Sequence, residues 1–270
     1  MSPTRVRCIF CDQRREQAIE DIIPDWIAKE IGGTPPFTVD YFDDVRGSEA
    51  KRRSGASMAL EQLKLRGVCA RCNNEWMSRI EDSVKPLLTD LIRGQARLVT
   101  SQDCRLLAAW CQLKCICIDA RYGGGYEGIR HLPSEVAHSF GQREQPLLSS
   151  SVAIGRFDAP PAGVMLRWGR HMGDMAGTSE HPPMRLVTAS LAIGSVVAKV
   201  VIGAWIADRP SLKATFPKAP DWAVPCWPVD LEVAYTWPPR VSITPEAFDH
   251  FASNGTNAHD FLPELRNTAE

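Results

Sequence analysis

The sequence predicts an α+β protein: a zinc-pinned N-terminal module, followed by a larger α+β part with helices first and antiparallel strands after them. Three observations predict it. Two Cys-x-x-Cys pairs, Cys8-Ile-Phe-Cys11 and Cys69-Ala-Arg-Cys72, supply four thiolates, the ligand set of a closed tetrahedral zinc site. From Glu75 to about Ala120 apolar residues recur at spacings of three and four, the helical period. Beyond Ser151, β-branched and aromatic runs are broken by Pro160-Pro161 and Pro182-Pro183, the punctuation of strands.

The cysteine pairs are the most specific signal. An x-x spacing lets one tight turn aim both sulfurs at one ion. Four unrelated buried thiols would explain any single cysteine, but not two pairs with Asp12, Arg71 and Asn73 beside them. The other five of the nine cysteines are expected to be free, in a reducing cytoplasm, because Met1 to Arg7 lacks the apolar core of a signal peptide. The formal net charge of -1 gives no global attraction to nucleic acid, so any basic surface is local. The apolar run Leu186 to Ala207 carries Lys199 near its centre, which favours paired buried strands over a membrane span. Nothing in the sequence sets an oligomeric state.

In chain order, residues 4–11 predict a strand leading into the first knuckle, and Arg14 to Gln17 a polar connection. Pro24 or Asp25 starts a short helix that Gly32 ends, with Trp26, Ile27 and Ile31 on one face. Thr38 to Phe42 predicts a strand. Asp43 to Ser57 reads as a mobile polar loop; Arg46, Lys51, Arg52 and Arg53 make it the most basic run, a solvated loop or a phosphate-binding one. Leu60 to Val68 leads into the second knuckle. Trp76, Ile80, Val84, Leu87 and Leu91 share a helix face, and Pro86 is expected to kink that helix or to start a second one capped by Ser83. Gly94 ends it.

Ser101 is the expected cap of the next helix, which runs to about Ala120 with Cys104, Leu107, Cys111, Cys115 and Ile118 as a core stripe. Tyr122 to Tyr126 is a glycine-rich turn and Pro133 to Phe140 a short helix. Strands follow at Ser151 to Phe157, Gly163 to His171 and Arg185 to Trp205. Within the last, Leu191 to Ser195 is a hairpin bend, with a helix over 196–206 as the alternative. Pro217 to Pro239 is loop-rich, with Trp222, Trp227 and Trp237 each close to a proline and pinning irregular backbone onto the core, an aromatic surface for stacking bases being the alternative. Thr244-Pro245 opens a last helix that Gly255 stops. The expected organisation is a module over 1–95, an α+β part over 96–262 and a disordered tail over 263–270.

The order Cys-x-x-Cys, Glu20-Asp21-Ile22-Ile23-Pro24, then Cys-x-x-Cys-Asn73 resembles the zinc-containing branch of the HNH endonucleases. Their ββα-metal finger corresponds to residues 4–85. The resemblance implies a structural zinc on Cys8, Cys11, Cys69 and Cys72, and a catalytic divalent cation, Mg2+ or Mn2+, near Glu20 and Asn73. It also implies cleavage of DNA phosphodiester bonds. Two positions depart from the family. Asp21 stands where the general-base histidine belongs, and Lys64 stands near the place of the middle Asn. All six histidines lie beyond residue 130. An exposed aspartate, with a pKa of about 4, is a weak base at neutral pH but a good hard ligand.

Asp21 is therefore read in three ways: as a lost activity, as a metal-centred variant in which Glu20, Asp21 and Asn73 place one ion, or as an ordinary helix-start aspartate. His171 or His181 folding back would restore a base. Lys64, Arg66 and Arg71 are the candidate phosphate contacts. The function expected first is a metal-dependent DNA endonuclease; the alternative is a zinc module that binds nucleic acid or protein without turnover.

Overall fold

The computed structural model describes residues 4–33, 36–45, 51–59, 62–122, 131–158, 164–173, 184–205, 223–228, 234–244 and 248. Of the turn expected at Tyr122 to Tyr126 only Tyr122 is among them, and of the helix expected from Thr244 only Thr244 and Phe248; the tail over 263–270 falls outside them.

The four-cysteine end is a three-stranded sheet in the order β1 (Arg5–Arg7), β2 (Arg14–Asp21), β5 (Lys64–Cys69), with β2 antiparallel to both neighbours. Arg14 to Gln17 is thus strand and not connection. Its side chains are polar because a small sheet leaves much of its surface in water, which hides the period-two signal. α1 (Asp25–Glu30) starts after Pro24. At six residues it has little stability of its own. It is held by fully buried Ile27, a contribution of about 1.5–3 kcal/mol.

After β5 the chain turns helical at once. α2 (Ala70–Cys72), a π-helical turn (Asn73–Met77) and α3 (Ser78–Ile92) follow without interruption. α3 passes through Pro86 with no second helix and no Ser83 cap. Pro86 and Asp82, the residue whose carbonyl loses its donor, are both exposed, so water replaces the missing bond. The next helix, α4 (Ser101–Tyr122), is capped by Thr100, one residue before the expected Ser101. Thr100 Oγ1 accepts from the Asp103 N–H (3.2 Å), and Asp103 Oδ2 accepts from the Thr100 N–H (2.9 Å), a reciprocal cap. α4 was expected to bury one stripe. It is instead buried on nearly every side, Gln112, Lys114 and Asp119 included. α5 (Ser134–Arg143) follows.

The remaining strands build one eight-stranded sheet around β7 (Ser150–Phe157), β8 (Val164–Gly173), β9 (Met184–Ile193) and β10 (Val196–Trp205). β11 (Ala223–Trp227) and β13 (Ser242–Ile243) both pair with β7. A separate two-stranded ladder joins β6 (Arg97–Val99) to β12 (Tyr235–Trp237). The sheet is mixed where antiparallel strands were expected, because β3 (Pro36–Val45) runs parallel to β8. β4 (Lys51–Ala59) closes the far edge against β3. The stretch expected as a mobile loop is therefore mostly strand, with 46–50 outside the described residues. Lys51, Arg52 and Arg53 lie on an edge strand, where charged residues are ordinary and read like loop in a sequence.

Leu186 to Trp205 forms the β9–β10 hairpin, so the helical alternative does not occur. Among the described residues no helix is long and apolar enough to cross a membrane.

α4 lies between the four-cysteine end and one face of this sheet. A single apolar cluster runs from Phe10, Val68 and Met77 through Leu88, Leu107 and Leu113 to Leu166, Val187 and Val200. Residues 1–95 and 96–262 thus share one core, and β3 and β4 from the first stretch complete the sheet of the second. A smaller cluster, including Phe157, Val197 and Phe248, covers part of the opposite face.

The β9–β10 turn docks on the end of α3. Ser195 N–H donates to Ile92 C=O (2.9 Å), and Gly194 sits at φ +52 with its Cα beside that carbonyl. A Cβ on Gly194 would meet Ile92 O at 2.6 Å. Left-handed strain and a backbone clash add, so Gly194→Ala is expected to cost about 2 kcal/mol or more, read from the urea unfolding midpoint. A change below about 0.5 kcal/mol would show that the turn does not need this close approach.

Candidate metal centre and buried lysine cluster

The first knuckle is a tight hairpin between β1 and β2. Asp12 N–H donates to Cys8 C=O (2.9 Å) and Cys8 N–H to Gln13 C=O (3.1 Å). Asp12 takes the left-handed conformation (φ 57), which a short acidic side chain tolerates. Both its carboxylate oxygens accept from Arg7, at 2.6 and 2.7 Å. The second knuckle is the step from β5 into α2, where Cys69 Sγ caps the helix by accepting from Cys72 N–H (3.5 Å).

The sheet brings the two knuckles together: Gln17 of β2 faces Cys69 of β5, and Ile9 N–H donates to Gly67 C=O (2.9 Å). Phe10, between the first two cysteines, packs edge-on against Trp76 (5.1 Å), which in turn meets Phe140 of α5 (5.9 Å). The knuckles are thereby fixed to the core on both sides.

All four Sγ atoms lie within 4.8 Å of one another, and Cys11 Sγ is 3.8 Å from Cys69 Sγ. A tetrahedron with Zn–S bonds of about 2.3 Å has edges of about 3.8 Å, so the four sulfurs fit a zinc ion. The electrostatics agree. A hydrogen bond from Cys72 holds the Cys8 thiol down at about 4, whereas Cys72 is raised by that same hydrogen bond and Cys11 by burial. One thiolate therefore makes the next harder to form, and a divalent cation is what would let all four ionise. None of the nine cysteines, all of them described, is in a disulfide. The five others are buried; Cys111, Cys115 and Cys117 in α4 have thiols pushed up by burial, the behaviour of core residues and not of ligands.

The sequence-predicted carboxylates lie at the end of β2. Glu20 is buried. Its Oε1 accepts from the ammonium of Lys114 at 2.6 Å. Lys114, from the middle of α4, has a side chain only 2% exposed. Its Nζ also donates to Glu81 Oε1 of α3 and to the Asp21 carbonyl (3.2 Å). Burial opposes the charge on Lys114, but the two carboxylates outweigh it and the ammonium's pKa is raised. Glu20 is raised as well, by burial first and then by Glu81 and Asp21, against the pull of Lys114.

Asp21 projects its own carboxylate to Lys64, its cross-strand partner, at 3.1 Å. Asn73 begins the π-helical turn; its Nδ2 donates to Asn74 Oδ1 (3.2 Å), and its Oδ1 is buried with no hydrogen-bond partner. No hydrogen bond joins Asn73 to either carboxylate. Of the three candidate phosphate contacts, Arg66 is exposed, Arg71 pairs with Glu75 (3.2 Å) and Lys64 is held by Asp21. His181 lies outside the described residues, and only the backbone of His171, on β8, is described. His138 comes within 3.9 Å of Asp12, at the first knuckle and not at Glu20.

Sequence reasoning missed Lys114 and Glu81. A lysine and an acid on helices read as solvent-facing. The one available signal was Lys114 in the middle of Leu107-to-Ile118, where every other third or fourth residue is apolar. A second buried charge pair, Arg167 on β8 with Asp40 on β3 (2.9 Å), was missed as well. It fixes the parallel β3–β8 register, and Ser190 and Lys199 continue its cross-strand row. Comparison with family models, with curated proteins and with solved structures returns no match.

Two outcomes are expected from this geometry. The purified protein should carry about one zinc per chain by elemental analysis, and Cys69→Ser or Cys72→Ser should lose it together with cooperative unfolding of the zinc end. Retention of full zinc content in both variants would contradict the four-sulfur site. Lys114→Met should cost about 3–5 kcal/mol in urea denaturation, because buried Glu20 and partly buried Glu81 lose their shared cation. A cost under about 1 kcal/mol would mean that the ion pair is solvated or dispensable.

Proposed function

We propose that this chain is a zinc-pinned, HNH-like module that binds nucleic acid without cutting it. The observation that carries the non-hydrolytic part is the engagement of Glu20. The carboxylate at the family's metal-ligand position is buried and hydrogen-bonded to Lys114, and Asp21, in place of the general-base histidine, is ion-paired to Lys64. A general base needs to reach water, and a metal ligand needs free lone pairs facing an open position. Glu20 offers neither as it stands, and Asp21, which does reach water, shares its carboxylate with Lys64.

Nucleic acid as the partner is supported by the small sheet. Arg5, Arg14 and Arg66 are exposed and Arg15 half-buried, and none of them makes an ion pair among the described residues, although Glu16 lies opposite Arg5 on the β1–β2 ladder. Arg14 faces Arg7 across the β1–β2 ladder; Arg7 is already paired with Asp12, so Arg14 and Arg66 are the arginines left to meet phosphate. A buried Asn73 Oδ1 with no donor favours a second reading, an active nuclease in which Asn73 and Asp21 take a divalent ion after rearrangement.

Plasmid nicking with Mg2+, Mn2+ and Ni2+, each tested alone, separates the two. The expected result is no nicking by a zinc-loaded protein. Nicking that disappears in Glu20→Ala/Asp21→Ala, with zinc retained, would establish the nuclease instead. Binding to a short DNA duplex, followed by fluorescence anisotropy, should weaken with salt. Arg14→Ala/Arg66→Ala should lower the magnitude of the log K against log salt slope by about 2. An unchanged slope would remove the arginines from the interface.

A further inference from the structure

The geometry points to Lys114 as a resident cation standing in for a divalent metal at Glu20. This rests on the non-hydrolytic reading of that site, not on the choice of nucleic acid as partner. A primary ammonium has three N–H donors, and each of those on Lys114 has an oxygen: Glu20 Oε1, Glu81 Oε1 and the Asp21 carbonyl. Two carboxylates and a carbonyl are the hard-oxygen set that Mg2+ or Mn2+ takes. They come from the end of β2 and from α3, which continues the helical run begun at the second knuckle, so they converge where the four-cysteine end meets the core. The ammonium comes from the opposite side, on α4.

With every donor engaged, Lys114 has none left for a substrate, which argues against a role as acid or phosphate clamp. Its charge is tethered to the chain, so the carboxylates are neutralised whatever the metal supply. A divalent ion placed among the same oxygens would face an ammonium at contact distance, and the parent protein should exclude it. The other groups facing this cluster do not replace Lys114. Asp21 adds negative charge, Lys64 is paired with Asp21, and burial keeps the Cys117 thiol protonated. A buried and a partly buried carboxylate thus share one ammonium, and removing it leaves a vacancy with the charge and ligands of a metal site.

The test uses full-length zinc-loaded protein and Mn2+ alone as the probe, with electron paramagnetic resonance for binding, thermal unfolding for stability and zinc content as control. The parent is expected to bind no Mn2+ at Glu20 and to show no shift in unfolding midpoint. Lys114→Ala is expected to unfold at lower temperature, to bind about one Mn2+, and to recover most of the lost midpoint when Mn2+ is added. Lys114→Ala/Glu20→Gln/Glu81→Gln should neither bind nor recover. Mn2+ binding by the parent that Glu20→Gln abolishes would overturn the assignment. So would lack of rescue of Lys114→Ala by Mn2+, whether that variant is folded or unfolded without metal. Nicking by the parent would instead refute the non-hydrolytic reading, a separate readout.

Discussion

The ammonium of Lys114 is the constraint on which much else depends. It is buried in the middle of α4 and joins three parts of the chain: β2 through Glu20 and Asp21, α3 through Glu81, and α4 itself. A buried charge costs several kcal/mol unless it is paired and hydrogen-bonded, so the fold forms only if those oxygens arrive together. Packing alone tolerates small slips between helices; an ammonium with three fixed acceptors tolerates few. This gives α4 a unique position against the four-cysteine end.

α4 repeats the device along its length. Gln112 Oε1 accepts from Leu147 N–H (2.8 Å), and Asp119 Oδ2 accepts from Leu132 N–H (3.0 Å). Each buried polar side chain holds a connecting segment whose backbone would otherwise lack a partner. The central helix therefore supplies apolar area to the core and hydrogen bonds to the segments beside α5. The four sulfurs act at the other end of the same cluster. They bring the turn after β1 to the start of α2, where Phe10 packs against Trp76.

The parts of the fold legible in the sequence are those governed by neighbours in the chain. Cys8, Cys11, Cys69 and Cys72 could be read as one site because knuckle spacing is a local requirement of metal geometry. α1 was legible from Pro24 and Gly32, α3 from its apolar period and Gly94, and the β9–β10 hairpin from Gly194 within a β-branched run. The edge strand β4 and the first half of β2 were not legible. Both are polar, and their strand character comes from partners distant in the chain. Asp21 could be seen to differ from the histidine expected at its position, but not that its carboxylate would be held by Lys64. Glu20 looked like an open ligand because nothing near it in sequence announced Lys114.

The sequence by itself determined the four-sulfur set, the α+β character and the succession of most helices and strands, since each follows from spacing, period or turn chemistry within a few residues. The tertiary structure alone decided that residues 1–95 and 96–262 share a core, that β3 lies parallel to β8, and that Glu20 faces an ammonium. These depend on which distant segments meet, and the same residue, Lys114, is a solvated side chain on an isolated helix and a buried cation only once β2 and α3 have closed around it.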